Sequence, residues 1–229
     1  MKNALTILTA FLFVGNTLLT SMPTLEPLQP EAVASRSMSL ENRAAPKSLM
    51  NEVMKENILL TVAYMRGMPI SATPDWETVK KPFTYTFTLK PGEAYSFQKD
   101  SLPKYAPSIV KTVNVNFSGQ DGYKHDGYLM GDGVCHLASL FYWAALDAGI
   151  EATAPTNHDF MPIPEIPREY GVSIYSMPGE VTANANQNLY VKNNTNTNVK
   201  FEIIYDGKNL KTNVYKESSG VALDTQVII

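Results

Sequence analysis

The 229-residue chain reads as an α+β fold, in which a helix bearing the only cysteine at its N-terminus packs on an antiparallel sheet. Three observations predict it. Residues 134–148 put Leu137, Leu140, Phe141, Ala144 and Ala148 on one apolar stripe, and Gly149 follows where a C-terminal cap belongs. Phe83-Thr84-Tyr85-Thr86-Phe87-Thr88-Leu89 alternates apolar and polar residues strictly, as a strand with one buried face does. Beyond the helix come five more strand-like stretches, the last two joined at Asp206-Gly207.

In chain order, Lys2 precedes the largely apolar run Ala4 to Val14, and a small-residue cleavage pattern stands at Ala32-Val33-Ala34. Residues 1–34 therefore read as a signal peptide or N-terminal anchor that can contact the membrane, and the protein is expected to be exported. The apolar part is shorter than the roughly 20 residues a spanning helix needs. Residues 35–48 are small, polar and Pro-containing, and read as a linker. The folded domain is expected over 49–216, with 217–229 as a C-terminal tail.

Met50, Val53, Met54, Ile58, Val62 and Met65 fall at helical spacing, which predicts an amphipathic helix from Leu49 to Met65 that ends at Arg66-Gly67. Lys90-Pro91-Gly92-Glu93 turns the chain after the strand at 83–89. Ile109 to Phe117 reads as another strand, and Gly119-Gln120-Asp121-Gly122 opens a glycine-rich loop that runs to Gly133. The remaining predicted strands are Ile150–Thr153, Val172–Tyr175, Asn188–Lys192, Val199–Tyr205 and Leu210–Tyr215. The asparagine and threonine of Thr182–Asn198 mark the turns of a polar hairpin.

Composition excludes several classes. A net charge of −3, a pI near 5.6 and 19 scattered Lys and Arg give no basic field for nucleic acid. One cysteine cannot form an internal disulfide, so stability must come from packing. The chain has no internal repeat, no heptads and no Walker-type phosphate loop.

The chemistry gathers at Gly131-Asp132-Gly133-Val134-Cys135-His136, and His125, His136 and His158 all lie within 23 residues of Cys135. A thiol where a glycine loop becomes a helix is expected to have a lowered pKa, because the helix N-terminus favours the thiolate and an imidazole can share its proton. Backbone N–H groups of the same loop would face whatever the sulfur attacks. Thiol, loop and imidazole together make a candidate cysteine nucleophile.

Several segments resemble the VanW-like family, in order. They are Leu89-Lys90-Pro91-Gly92-Glu93-Ala94-Tyr95-Ser96-Phe97, Gly122-Tyr123-Lys124, Gly131 to His136 with the helix after it, Asn157-His158-Asp159-Phe160, and Val191-Lys192-Asn193-Asn194-Thr195. The resemblance spans roughly residues 50–205. The family is named for a member of a vancomycin-resistance gene cluster, so the resemblance implies a bacterial envelope protein, with an antibiotic-resistance context. It names no reaction. The family usually reads Gly-Gly-Gly-Val-Cys-Gln, where this chain has Asp132 and His136 in place of the middle glycine and the glutamine. Where the family carries Gly-Arg-Asp-Ala-Thr-Val, this chain has Pro167-Arg168-Glu169-Tyr170-Gly171-Val172, with Glu169 at the aspartate.

Cysteine, then histidine, then carboxylate is the chain order of transglutaminase-like and papain-like sites, an analogy of fold rather than a physical warrant. It assigns Cys135 as nucleophile, His158 as general base and acid, and Glu169 as the group that orients the imidazole. Gly131, Asp132, Gly133 and His136 would surround the reacting carbonyl, with Tyr123 and Asn157 as further binding residues. The expected reaction is acyl transfer or amide hydrolysis on a peptide or glycopeptide of the cell wall, with no cofactor and no metal.

Plainer readings stand beside it. Cys135 can be a buried small hydrophobe, His136 can cap or pack, His125 can be an exposed loop residue, and Glu169 can pair with Arg168 at the surface. One alternative function is a non-catalytic surface-binding module whose groove is shaped by Tyr123, Tyr128, Phe141 and Tyr142. Another is a zinc site built from Cys135, His158 and a second histidine.

Overall fold

In the computed structural model, which describes residues 31–45, 48–125, 127 and 129–217, the alternating stretch at 83–89 is a strand of a four-stranded antiparallel sheet. That sheet has the order β1-β8-β7-β2, formed by β1 (Ala34–Ser39), β2 (Phe83–Leu89), β7 (Val199–Tyr205) and β8 (Asn209–Lys216). A second sheet has the order β4-β3-β6-β5, from β3 (Ala94–Ser96), β4 (Ile109–Thr112), β5 (Glu151–Thr153) and β6 (Tyr190–Lys192). Its β3–β4 pair is parallel, so the layer is mixed rather than wholly antiparallel as expected. Helices α1 (Leu49–Met65) and α3 (Val134–Asp147) pack on each other, and α3 reaches both sheets through β1, β8 and β5. The architecture is α+β, completed by the short helices α2 (Trp76–Val79) and α4 (Val181–Asn186).

The core is tied by a run of aromatic rings. Phe87 stacks on Phe201 at 5.1 Å within the first sheet and meets Tyr95 of the second at 5.5 Å. Tyr95 touches Phe141 of α3, while Phe97, Phe117, Tyr123 and Tyr64 carry the chain of contacts on to α1. Such pairs add about 0.5–1.5 kcal/mol each beyond the area they bury.

Several segments differ from expectation. Residues 35–39, expected in a linker, form β1 on β8 together with Ala34, expected as the end of the targeting segment, with Ala34 opposite Val214 and Met38 opposite Leu210. Serines at 35, 37 and 39 give the segment a linker's composition, but Ala34, Met38 and Leu40 are buried beneath it, and Arg43 is only 2% exposed. The expected targeting segment lies outside the described residues as far as residue 30, as does the tail from 218 onward. Among the described residues no helix is long and apolar enough to cross a membrane.

The strand expected over Ile109–Phe117 ends at Thr112, because Asn114 and Phe117 take left-handed backbone with φ of 56° and 55°. Val113, Val115 and Phe117 are still buried, so their alternation marks a buried loop face. Thr182–Asn198 is not simply a polar hairpin. It holds part of α4 and all of β6, and its asparagines work inside the protein. Asn188 is fully buried, accepting from Gln98 N–H and donating to Ser96 Oγ, while Asn193 donates to the Leu89 and Thr197 carbonyls.

Candidate functional site

The glycine loop is shaped first by packing. Gly133, the N-cap of α3, has φ 96°, and a Cβ there would sit 2.6 Å from the Met54 carbonyl of α1. Only glycine fits that approach. Gly131, with φ 80°, lies against Phe117 in the same way, with 3.1 Å to a Cβ. Buried Asn57 of α1 then staples the loop, donating to the carbonyls of Lys124 and Asp132 at 2.9 Å each and accepting from Lys124 N–H.

This places Cys135 in the first turn of α3, as its sequence position predicts, but not in an electropositive mouth. Its Sγ accepts from Ile174 N–H at 3.3 Å and donates to Ile174 C=O at 3.4 Å. Burial pushes the thiol pKa up to about 11, with Asp132 adding to the rise. The expected lowering is therefore overturned: desolvation outweighs the pull of the helix N-terminus. The N–H groups of Val134, His136 and Leu137 are bonded to the Gly131 and Gly133 carbonyls, so three of the expected oxyanion donors around Cys135 are already engaged. Ser139, one turn on, donates to Cys135 C=O and accepts from Val172 N–H at 2.9 Å. The stretch predicted as a strand at 172–175 is thus irregular chain, fastened to α3 by two side chains and to the Thr156 and Gln187 carbonyls by the N–H groups of Ser173 and Tyr175.

His158 reaches the same place from the irregular segment after β5. It is 6% exposed, and its Nδ1 lies 3.1 Å from Met161 C=O, with Phe160 tilted over the ring at 4.1 Å between centroids. Since a carbonyl can only accept, Nδ1 carries the proton, and Nε2 of the neutral ring is the basic nitrogen. Burial lowers the His158 pKa, partly opposed by the Met161 bond. His136 sits edge-on to His158 at 6.1 Å, and burial, helped by Arg43 and His158, lowers its pKa to about 3. Both imidazoles are neutral at pH 7.

Cys135, His136 and His158 line one cavity of about 360 Å³ together with Gly131, Asp132 and Gly133. The rest of its wall is apolar: Met50 and Met54 of α1, Leu129 and Met130, Val134, Phe160 and Met161, and Ile174 with Tyr175. A second cavity of about 360 Å³ shares Leu129, Met130, Val134, Ile174 and Tyr175, and adds Asn116, Ser118 and Ser176.

The other expected site residues are elsewhere. Glu169 is exposed, on a 3₁₀ turn whose Tyr170 stacks on Trp143, about two turns of α3 beyond Cys135. It has no bond to His158, whose Nδ1 is taken by Met161 instead. Tyr123 is core, its hydroxyl 3.0 Å from Thr61 Oγ1 and its pKa raised by burial. Asn157 is exposed beside Gly171 and outside the cavity. The expected aromatic groove is not assembled either, since Phe141 is buried in the core and Tyr142 packs on Tyr170; Tyr128 lies outside the described residues. His125 is exposed and accepts from Gly127 N–H. Among the described residues no three His, Cys, Asp or Glu side chains converge as metal ligands, which leaves the zinc alternative without support.

Sequence reasoning missed the methionine wall and the orienting carbonyl. The methionines were countable, ten in the chain with four at this cavity, and such thioethers suit adaptable apolar surfaces. The carbonyl of Met161 left no signal, because any residue can supply it.

No curated protein and no solved structure matches the chain. Residues 84–215, more than half of it and including the cysteine loop, His158 and nearly all of β2 through β8, match the family model described as VanW like protein, and the chain belongs to the VanW-like family.

Proposed function

We propose that this is an exported cell-envelope protein that carries out cysteine-dependent acyl transfer or amide hydrolysis on a peptide or glycopeptide of the cell wall. One observation carries the reading: Cys135 and His158, 23 residues apart in sequence, line a single cavity in which His158 holds its proton on Nδ1. Both groups start neutral, so the chemistry is general-base catalysis rather than attack by a standing thiolate. The thiol leaves Ile174 and bonds to the acyl carbon while His158 Nε2 takes its proton. The proton passes to the leaving nitrogen as the C–N bond breaks, giving a thioester and a free amine. Water or an acceptor amine then attacks, Nε2 takes its proton, and the thiol is restored. The Ile174 N–H, released by the sulfur, is the donor available to the oxyanion. The polar side chains of the neighbouring cavity, Asn116, Ser118 and Ser176, suit the peptide part.

The thiol's raised pKa and its two bonds to Ile174 favour a second reading, a non-catalytic binding module. Acylation of Cys135 by a p-nitrophenyl ester, followed by mass spectrometry across pH, separates the two. General-base chemistry gives a rate that levels off once His158 is neutral, below pH 6.5, and falls about 100-fold or more in His158→Ala. A bystander thiol gives a rate that climbs tenfold per pH unit toward about 11 and ignores His158, which would sink the enzyme reading. Export is tested by fractionating cells that express the full chain; retention in the cytoplasm would overturn it.

A further inference from the structure

The cavity around Cys135 is far more apolar than cell-wall peptide chemistry needs, and its size is informative. At about 30 Å³ per non-hydrogen atom, as in liquid water, 360 Å³ holds roughly 12 such atoms, whereas one leucine side chain would fill about a third of it. Among the described residues Asp132 is the only charged residue in the wall. Cations flanking the wall segments are committed elsewhere: Lys55 to Glu41, Lys124 to Glu56 at 2.6 Å, and Arg43 to Glu165 at 3.3 Å. No cation remains in the wall to hold a carboxylate or a phosphate. At the mouth Leu129, Met130, Phe160 and Met161 are all exposed, an apolar rim that continues the apolar interior.

We infer that the cavity is the site of an uncharged, straight aliphatic acyl chain of about ten to twelve carbons. This rests on the acyl-transfer reading for its chemistry and names the acyl side of the substrate, leaving a peptide on the amine side. Methionines at 50, 54, 130 and 161 follow a flexible chain without fixing its conformation, so neighbouring chain lengths are accepted.

The test is calorimetric titration of the full chain carrying Cys135→Ala with N-acyl glycinamides, from butanoyl to hexadecanoyl, below their micelle concentrations. Affinity is expected to rise about fourfold per methylene and to flatten near decanoyl to dodecanoyl. Met130→Trp and Met161→Trp, at exposed rim positions that tolerate bulk, should each move the plateau to shorter chains. Failure of every chain to bind, affinity independent of length, or tighter binding of an acyl glycine with a free carboxylate than of its amide would overturn the inference. The Cys135→Ala background separates it from the reaction. Length-dependent binding with no thioester on the native Cys135 removes acyl transfer and leaves the lipophilic site standing. Acetyl transfer to Cys135 as fast as decanoyl transfer removes the lipophilic site and leaves the reaction.

Discussion

His136 shows how a single residue can be read correctly for position and wrongly for role. Its place after Cys135 puts it near the cavity, but burial, not chemistry, dominates its properties. The ring is 6% exposed, and its Nδ1 has no hydrogen-bond partner among the described residues. Its folded pKa of about 3 lies below the unfolded value of 6.5, so the unfolded chain binds a proton that the native state refuses. Stability is complete above pH 6.5 and falls as pH drops toward 3, by several kcal/mol over the window, with His158 contributing in the same direction. Urea midpoints measured from pH 7 to pH 4 should fall steeply, and His136→Gln should flatten that slope. An unchanged slope in the variant would show that His136 is not the group responsible. The Cys135 thiol is a similar case: the residue is partly exposed to the cavity, yet the packing around its sulfur raises the pKa against the pull of the helix N-terminus.

At the scale of elements, the packing of α1 against the start of α3 sets the site. Gly133→Ala would drive a Cβ into the Met54 carbonyl in a left-handed conformation, and is expected to destabilise the fold by about 3 kcal/mol or more. Gly92→Ala, with φ 82° but open space around it, should cost about 1 kcal/mol. Denaturant midpoints of the two variants check the difference; equal losses would mean that conformation alone, and not the helix contact, requires glycine at 133. The long periodic elements are legible in the residue spacing: α1 has its expected ends, β2 and β7 their expected residues, and α3 stops one residue earlier. The segment 172–175 is half legible. Its alternation correctly buries Val172 and Ile174, yet the N–H groups of these two residues bond to Ser139 and Cys135 on a helix while those of Ser173 and Tyr175 bond to the Thr156 and Gln187 carbonyls, an arrangement that no strand pattern can announce.

For the whole molecule, β1 is the most informative surprise. It closes the first sheet along β8, and Arg43 behind it donates to the carbonyls of Ser39 and Pro164 and pairs with Glu165, tying the segment after β1 to the one downstream of His158. Glu165 also accepts from Ser39 N–H at 2.7 Å. A chain beginning at residue 31 should therefore fold, whereas one beginning at residue 41 loses Met38 and Leu40 from the core and exposes β8. Circular dichroism melts of the two are expected to differ by at least 10 °C, given about 2–5 kcal/mol per large buried side chain removed. Equal melts would show that β1 is dispensable.

What the sequence determined by itself is local: helix and strand periods, the glycine turn that starts α3, and the family to which residues 84–215 belong. Each follows from spacing along a few neighbouring residues. Only the tertiary structure decided the state of the site, because burial and backbone partners come from remote segments. It raised the thiol, neutralised both imidazoles, exchanged Glu169 for the Met161 carbonyl and lined the cavity with methionine. Desolvation is a property of everything packed around a group, and no stretch of sequence carries it alone.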